Sequence, residues 1–118
     1  MPEVIATLCR ENGNPARGGL RGALHPARAA VRGGLAAHPH GRVTDPQPGR
    51  MAMSIRQPIG VAGIVVPWNS PAYLCIRALA PALAAGCTAV VKMPGQAAMT
   101  AALMGEILAS VPELPREW

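Results

Sequence analysis

Two polar side chains, those of Asn69 and Lys92, stand where they could do chemistry together. Each lies at or just beyond the end of a short apolar segment, residues 61–66 and 88–92, whose composition predicts strands buried on both faces. Asn69 offers an uncharged amide donor that can stabilise a developing oxyanion, and Lys92 offers a compact cation for ribose hydroxyls or phosphate. Local spacing alone favours a plainer interpretation, in which Asn69 shapes a turn and Lys92 is a solvated strand end.

A helix between these two strands would bring both groups to one edge of a sheet. Ser70 and Pro71 suit a helix start, since the hydroxyl can accept from an unpaired N–H and proline needs no donor there. The helix is predicted over residues 71–85, with a kink at Pro81 and a left-handed exit at Gly86. A right-handed crossover then makes a parallel pair, whose carboxyl ends share the edge where open α/β sheets hold ligands. The residues predicted on one face of the helix are Tyr73, Ile76, Ala80 and Leu83.

Two further helices are predicted on either side of this unit. Residues 1–12 form the first, which ends at Gly13 and Pro15. Residues 96–111 form the second, which ends at Pro112. The apolar face of the first consists of Val4, Ile5 and Leu8, and that of the second of Leu103, Ile107 and Val111, with Met104 and Leu108 beside them.

The chain between residues 16 and 56 is less regular. Residues 16–42 are rich in Arg, Gly and Pro, which oppose a stable helix and favour a fragmentary helix within mobile loops. Residues 44–49 (TDPQPG) are predicted to be a turn or linker. Met51, Met53 and Ile55 then alternate with smaller or polar residues, the period of a half-exposed strand.

Composition and charge limit the function classes. The 118 residues are 50% hydrophobic and 14% charged, which suits a buried α/β segment better than a disordered tail. The net charge of +5 belongs to residues 1–57, which contain eight arginines and three acidic residues. That bias allows attraction to acidic surfaces, but no aromatic residue interleaves the arginines to stack on bases, so nucleic acid is not an expected partner.

The cysteines and histidines bear on location and on metal binding. Three cysteines without paired spacing indicate a reducing compartment. Neither a signal peptide nor an apolar run of about 20 residues is present, so no membrane partner is expected and the predicted location is cytoplasmic. His25, His38 and His40 have no Cys or acidic partner at ligand spacing, so we expect no metal site.

In combination, several motifs resemble the N-terminal, NAD(P)-binding part of aldehyde dehydrogenases. They are PIGV at residues 58–61, VPWN at 66–69, LAPALAAGC at 79–87 and VVK at 90–92. A shorter similarity is RENGNP at residues 10–15, where the family usually has Glu-Asn-Gly-Lys-Pro. The resemblance implies an α/β fold, with a partial doubly wound, Rossmann-like parallel sheet, helices, and an antiparallel oligomerisation-type strand in an incomplete domain. Residues 1–50 would form a basic, Gly/Pro-rich region and residues 51–118 a partial dinucleotide-binding segment.

The same resemblance implies roles for individual residues. Asn69 would be the oxyanion-hole amide, and Lys92 would hold the adenosine ribose of the cofactor. Gly95 stands where the family has a glutamate that holds the ribose hydroxyls. Without that carboxylate there is no repulsion against a ribose phosphate, so NADP is at least as plausible as NAD. The groove would be lined by Val66, Pro67, Trp68 and Asn69.

The resemblance also implies a function and a gap in it. In the complete enzyme, a homo-oligomer, a small-molecule aldehyde would be oxidised to an acid with NAD or NADP as acceptor. The family's nucleophilic thiol and general-base glutamate lie further along the chain, and Cys9, Cys75 and Cys87 are not in its nucleophile motif. The isolated chain is therefore expected to be inactive. The alternative is a non-catalytic fragment that pairs with a full-length homologue or with an acidic partner.

Overall fold

The computed structural model describes residues 2–13, 30, 34 and 40–114. Within residues 2–13 and 40–114, the regular elements are three α-helices, four strands and one 3₁₀ turn. In chain order they are α1 (Pro2–Asn12), β1 (Arg42–Gln47), β2 (Arg50–Ser54), β3 (Val61–Val65), α2 (Pro71–Ala84), β4 (Thr88–Lys92), the 3₁₀ turn (Gly95–Ala97) and α3 (Ala98–Ala109).

Strands β3 and β4 form the predicted parallel pair. The register runs from Val61 opposite Thr88 to Val65 opposite Lys92. One residue further, the Val66 N–H donates to the Lys92 carbonyl oxygen at 3.0 Å. Helix α2 connects the strands within one residue of its predicted bounds, and Gly86 leaves it with φ of 78°. The predicted α/β fold is confirmed, with a small parallel sheet in an incomplete domain.

Within the described residues, one face of this parallel pair is covered and the other is exposed. Ile64 and Val66 are buried, whereas Val61, Val65 and Val90 are 66%, 76% and 62% exposed. The prediction that both strands are buried on both faces is therefore wrong for the part of the chain that the structure describes. Apolar residues on both faces are typical of a sheet with helices on both sides. Among the described residues, helices cover one side alone.

Helix α1 supplies part of the core on the covered side. Val4 and Leu8 are 5% and 1% exposed, and Ile5 packs beside them, so the predicted apolar face is confirmed. The N–H of Gly13, which has φ of 64°, donates to the Cys9 carbonyl oxygen where the helix ends. The division of the chain at residue 50 stays a prediction, and α1 shares its core with residues beyond that point.

The buried faces of α2 and α3 agree only in part with those predicted. On α2 the buried residues are Pro71, Ala72, Cys75 and Leu79, while the predicted set is partly buried. On α3 they are Thr100 and Met104, and Ile107 is 41% exposed. Helix α3 packs against both α1 and α2, so its orientation depends on two neighbours that its own apolar periodicity does not specify.

Strands β1 and β2 form a separate antiparallel hairpin. The predicted turn or linker at residues 44–49 is wrong in extent, because the turn occupies only Pro48 and Gly49. Asp45 and Pro46 lie opposite the single residue Met51, where the register shifts. Proline has no N–H for the ladder, so a bulge there accommodates it. Every residue of β2 is exposed, so the predicted half-burial of this strand is also wrong.

Some predictions lie outside the described residues. Most of the interval from residue 16 to residue 42, including His25 and His38, belongs to this part, as does Pro15. Across the described ranges, no helix has the length and apolar character needed to cross a membrane.

We expect a Gly86→Ala variant to lose about 1–2 kcal/mol of unfolding free energy, the cost of a left-handed conformation for an L-residue. A Cβ at Gly86 would also lie 3.1 Å from Pro58 Cγ. Gly105 lies in the interior of α3 with open space around it, so a Gly105→Ala variant should gain up to about 1 kcal/mol of unfolding free energy. Urea unfolding followed by circular dichroism measures both variants. Equal midpoints for the two would contradict this account of Gly86.

Candidate functional site

The loop between β3 and α2 carries three of the predicted site residues. Pro67, Trp68 and Asn69 are all exposed, and the exposed fraction of Trp68 is 55%. Ser70 precedes α2, and its carbonyl oxygen accepts the Leu74 N–H at 3.0 Å. Its hydroxyl makes no capping hydrogen bond, so that detail of the predicted helix start is wrong.

Lys92 and Gly95 lie along the neighbouring segment, where β4 ends. Lys92 is exposed, and alternation along β4 places it on the uncovered face with Val90. Gly95 begins the 3₁₀ turn, and a Cβ built on it would meet no atom within 4 Å. Parallel pairing thus brings the ends of β3 and β4 to the same sheet edge, as the sequence predicted.

Val66 differs from the other predicted site residues. Its side chain is 4% exposed and belongs to the core with Ile64 and Leu79. Its backbone N–H is bonded to Lys92. Val66 therefore contributes a backbone hydrogen bond that joins the two strands at this edge, and its side chain is directed into the core.

The cysteines of the described residues are half-buried or buried. Cys75 and Cys87 are 1% and 5% exposed, Cys9 is half-buried, and none of the three forms a disulfide. Burial raises the pKa of the Cys75 thiol, which disfavours the reactive thiolate. Within residues 2–13 and 40–114, no group of three or more His, Cys, Asp or Glu side chains could hold a metal ion.

The end of α1 bonds the Trp68 loop and the first turn of α3 through side chains to which the sequence analysis gave no role. Asn12 Nδ2 donates to the Trp68 carbonyl oxygen at 2.7 Å. The Glu11 carboxylate accepts from the backbone N–H groups of Met99 and Thr100 at 2.6 and 2.9 Å, and from the Thr100 hydroxyl. Glu11 thus pairs donors in the first turn of α3, where the helix leaves N–H groups unpaired and favours negative charge.

These contacts determine the ionisation of Glu11. Partial burial by itself would raise the pKa of this carboxyl group. The hydrogen bonds from Thr100 and Met99 outweigh that effect and hold the pKa below its ordinary value. Glu11 is therefore a charged acceptor at neutral pH, and its bond to the fully buried Thr100 hydroxyl joins α1 to α3.

Comparison with known proteins bears on what this edge of the sheet could bind. The model of the aldehyde dehydrogenase family matches residues 1–117. Benzaldehyde dehydrogenase [NAD(+)] of Pseudomonas putida is 45% identical over 76 residues, which is 63% of this chain and 16% of that protein. A probable succinate-semialdehyde dehydrogenase [NADP(+)] of Sinorhizobium fredii is 45% identical over 62 residues, 52% of this chain and 13% of that protein. The chain thus spans less than a fifth of the length of these relatives.

Solved structures agree with these sequence comparisons. Aldehyde dehydrogenase 21 of Physcomitrella patens, solved in complex with the reaction product succinate, superposes with a TM-score of 0.82 at 29% identity. The match covers 97% of this chain and 25% of that one. PnpE, solved in complex with nicotinamide adenine dinucleotide, gives a TM-score of 0.66 at 32% identity and covers 89% of this chain and 23% of its own.

Proposed function

Since this chain belongs to the aldehyde dehydrogenase family, we propose that it carries the oxyanion amide and part of the cofactor groove of an NAD(P)-dependent enzyme. In the whole protein, an aldehyde would be oxidised to the corresponding acid. The observation that carries the proposal is the pairing of β3 with β4, which brings the loop bearing Asn69 and the end of β4 bearing Lys92 to one sheet edge. NAD or NADP, when bound, supplies the hydride acceptor for this oxidation.

The residues at this edge have chemistry that fits the proposed group. The Asn69 amide would donate to the substrate oxygen as negative charge develops there, with no proton to lose at neutral pH. Lys92 would donate to ribose hydroxyls or to a phosphate from its exposed position on β4. Pro67 and Trp68, both exposed, and the backbone at Val66 would line the groove.

Gly95 is the residue that bears on the choice between NAD and NADP. It is exposed, and the open space around it would admit either a carboxylate side chain or a ribose phosphate. Because glycine brings no negative charge to this place, it does not repel a phosphate. The proposal therefore includes both cofactors.

We expect cofactor binding by the 118-residue chain to quench the emission of Trp68, measured in a Trp118→Phe background that leaves a single tryptophan. Lys92→Gln should weaken binding about tenfold, as the loss of one charge-assisted hydrogen bond would. Gly95→Glu should weaken NADP binding more than NAD binding. Gly105→Glu, the same change at an exposed position on α3, is the matched control. Absence of quenching at millimolar NAD and NADP would contradict retained binding and leave only shared ancestry.

The isolated chain is not proposed to be a competent catalyst. Its two buried cysteines and the half-buried Cys9 offer no exposed thiol for attack on an aldehyde. Addition of NAD, NADP and an aldehyde should yield no reduced cofactor at 340 nm beyond the protein-free rate. A cytoplasmic location and homo-oligomeric assembly of the whole protein belong to the same proposal.

A second candidate function is that of a non-catalytic interaction fragment, and the uncovered face of the parallel sheet favours it. On that face, the exposed fraction is above 60% for each of Val61, Val65 and Val90. A monomeric protein rarely leaves an apolar patch of this kind in contact with water. A full-length aldehyde dehydrogenase subunit would be the partner through this face, or an acidic protein through the basic residues of the first half. Size-exclusion chromatography of this chain mixed with a full-length aldehyde dehydrogenase tests the pairing. An unshifted elution volume would contradict it.

A further inference from the structure

The last turn of α1 reaches the loop that carries the candidate oxyanion amide. Asn12 Nδ2 lies 2.7 Å from the Trp68 carbonyl oxygen, although the two residues are 56 positions apart in the sequence. That carbonyl belongs to the peptide group joining Trp68 to Asn69. Because a peptide group is planar, a donor that fixes its oxygen also fixes the direction in which the chain enters Asn69.

Asn12 is itself held firmly. Leu8, one helical turn earlier, is 1% exposed and packed in the core. Glu11, the adjacent residue, is bonded to the first turn of α3 through Met99 and Thr100. The Asn12 side chain therefore projects from a backbone that is fixed on both the core side and the α3 side.

The side chains of the loop lie outside the core. Pro67, Trp68 and Asn69 are exposed, so the core does not restrain their side chains. A donor that stabilises an oxyanion is effective only when its position is fixed before the reaction. A hydrogen bond from a rigid helix to the peptide group before Asn69 meets this requirement.

We propose that Asn12 is a positioning residue, whose side-chain amide holds the loop of residues 67–69 so that Asn69 faces the substrate edge. This rests on the role proposed above for Asn69. Asn12 touches neither substrate nor cofactor and acts only through the Trp68 carbonyl group. The first consequence is local, since loss of the Asn12 donor frees the loop while the helices and β3 remain packed.

The test compares the accessibility of Trp68 in Asn12→Ala and Asn12→Asp with that in the unmodified sequence, all in the Trp118→Phe background. Aspartate keeps the size of asparagine but presents acceptors to the Trp68 carbonyl, so both changes remove the donor. We expect stronger acrylamide quenching and a red-shifted emission maximum in both variants, without cofactor present. With cofactor, binding should weaken by up to about tenfold, the equivalent of one hydrogen bond.

Thr100→Val provides the control for general loosening. It removes the Thr100 hydroxyl that bonds Glu11, and it leaves in place both the Asn12 amide and the backbone N–H bonds that hold Glu11. It should lower stability without changing Trp68 quenching at temperatures where the chain is folded. Equal increases in quenching in Thr100→Val and the Asn12 variants would overturn the proposal, as would unchanged quenching in the Asn12 variants. The proposal would also be overturned if acrylamide quenched Trp68 in the unmodified chain as strongly as it does in urea.

A measurement on the unmodified chain covers the case in which both Asn12 variants fail to fold. Proton exchange of the Asn12 side-chain amide, observed by nuclear magnetic resonance, should be slower than that of the exposed Gln96 amide. Equal exchange rates would overturn the positioning role. If no variant responds to NAD or NADP, the proposed cofactor binding fails, and the acrylamide and exchange measurements still decide the role of Asn12.

Discussion

Leu8→Ala is expected to remove about 3 kcal/mol of unfolding free energy, within the range seen when a buried leucine is truncated. Leu8 is 1% exposed and lies in the core formed by α1, the covered face of β3, α2 and α3. Truncation would leave a cavity in this core, whose other buried members include Ile64 of β3, Leu79 of α2 and Met104 of α3. This loss is a large fraction of the total, because a small domain has little stability in reserve.

Urea unfolding followed by far-ultraviolet circular dichroism measures this loss. Ile107→Ala is the matched control, because Ile107 is 41% exposed on α3 and alanine has the better helix propensity. Its midpoint should move by much less than that of Leu8→Ala. If the two midpoints move equally, α1 does not contribute to the core in solution, and the hydrogen bond from Asn12 to the Trp68 loop loses its support.

The sequence was sufficient for those elements whose signals are local. Pro71 at a helix start, Gly86 at a helix exit, and apolar β-branched runs on either side predicted β3, α2 and β4 to within a residue. The shared edge of Asn69 and Lys92 followed from the parallel pairing of the two strands that the helix connects, which the nearby residues were enough to indicate.

Contacts with distant partners were beyond prediction from local spacing. Asn12 and Glu11 bond to residues 56 and 88 positions away, so no periodicity within either helix could indicate them. A short resemblance at residues 10–15 was visible, but it carried no role for either side chain. The buried faces of α2 and α3 were predicted only in part for the same reason, because a helix packed against two neighbours takes its orientation from both.

The hairpin shows a different limit of prediction from the sequence. The prolines at positions 46 and 48 predicted a break in the chain, and the structure confines the turn to Pro48 and Gly49. Proline at a bulge leaves the strand intact, because the residue opposite the bulge needs no donor from it. Composition indicates where a ladder is interrupted, but pairing with β2 decides whether the strand resumes.

Glu11→Gln is expected to cost about 1–2 kcal/mol of unfolding free energy at pH 7, since it removes the charge from an acceptor of three hydrogen bonds at a partly exposed helix terminus. The glutamine side chain has a single acceptor oxygen, so it cannot serve both Met99 and Thr100 as the carboxylate does. With the amide oxygen in the place of Oε2, the Met99 N–H loses its acceptor, and with the oxygen in the place of Oε1, the fully buried Thr100 loses the acceptor of both its hydroxyl and its N–H.

The dependence of stability on pH separates this charge effect from simple packing. The pKa of Glu11 is lower in the folded state than its ordinary value, so the stabilisation is fully present above the unfolded pKa. It is lost as the pH falls from there through the folded pKa. Urea midpoints measured from pH 7 down to about pH 3 should therefore fall more steeply for the unmodified chain than for Glu11→Gln. Glu3→Gln, an exposed change in the first turn of α1, should retain the steep fall, and parallel profiles for all three proteins would refute the assignment to Glu11.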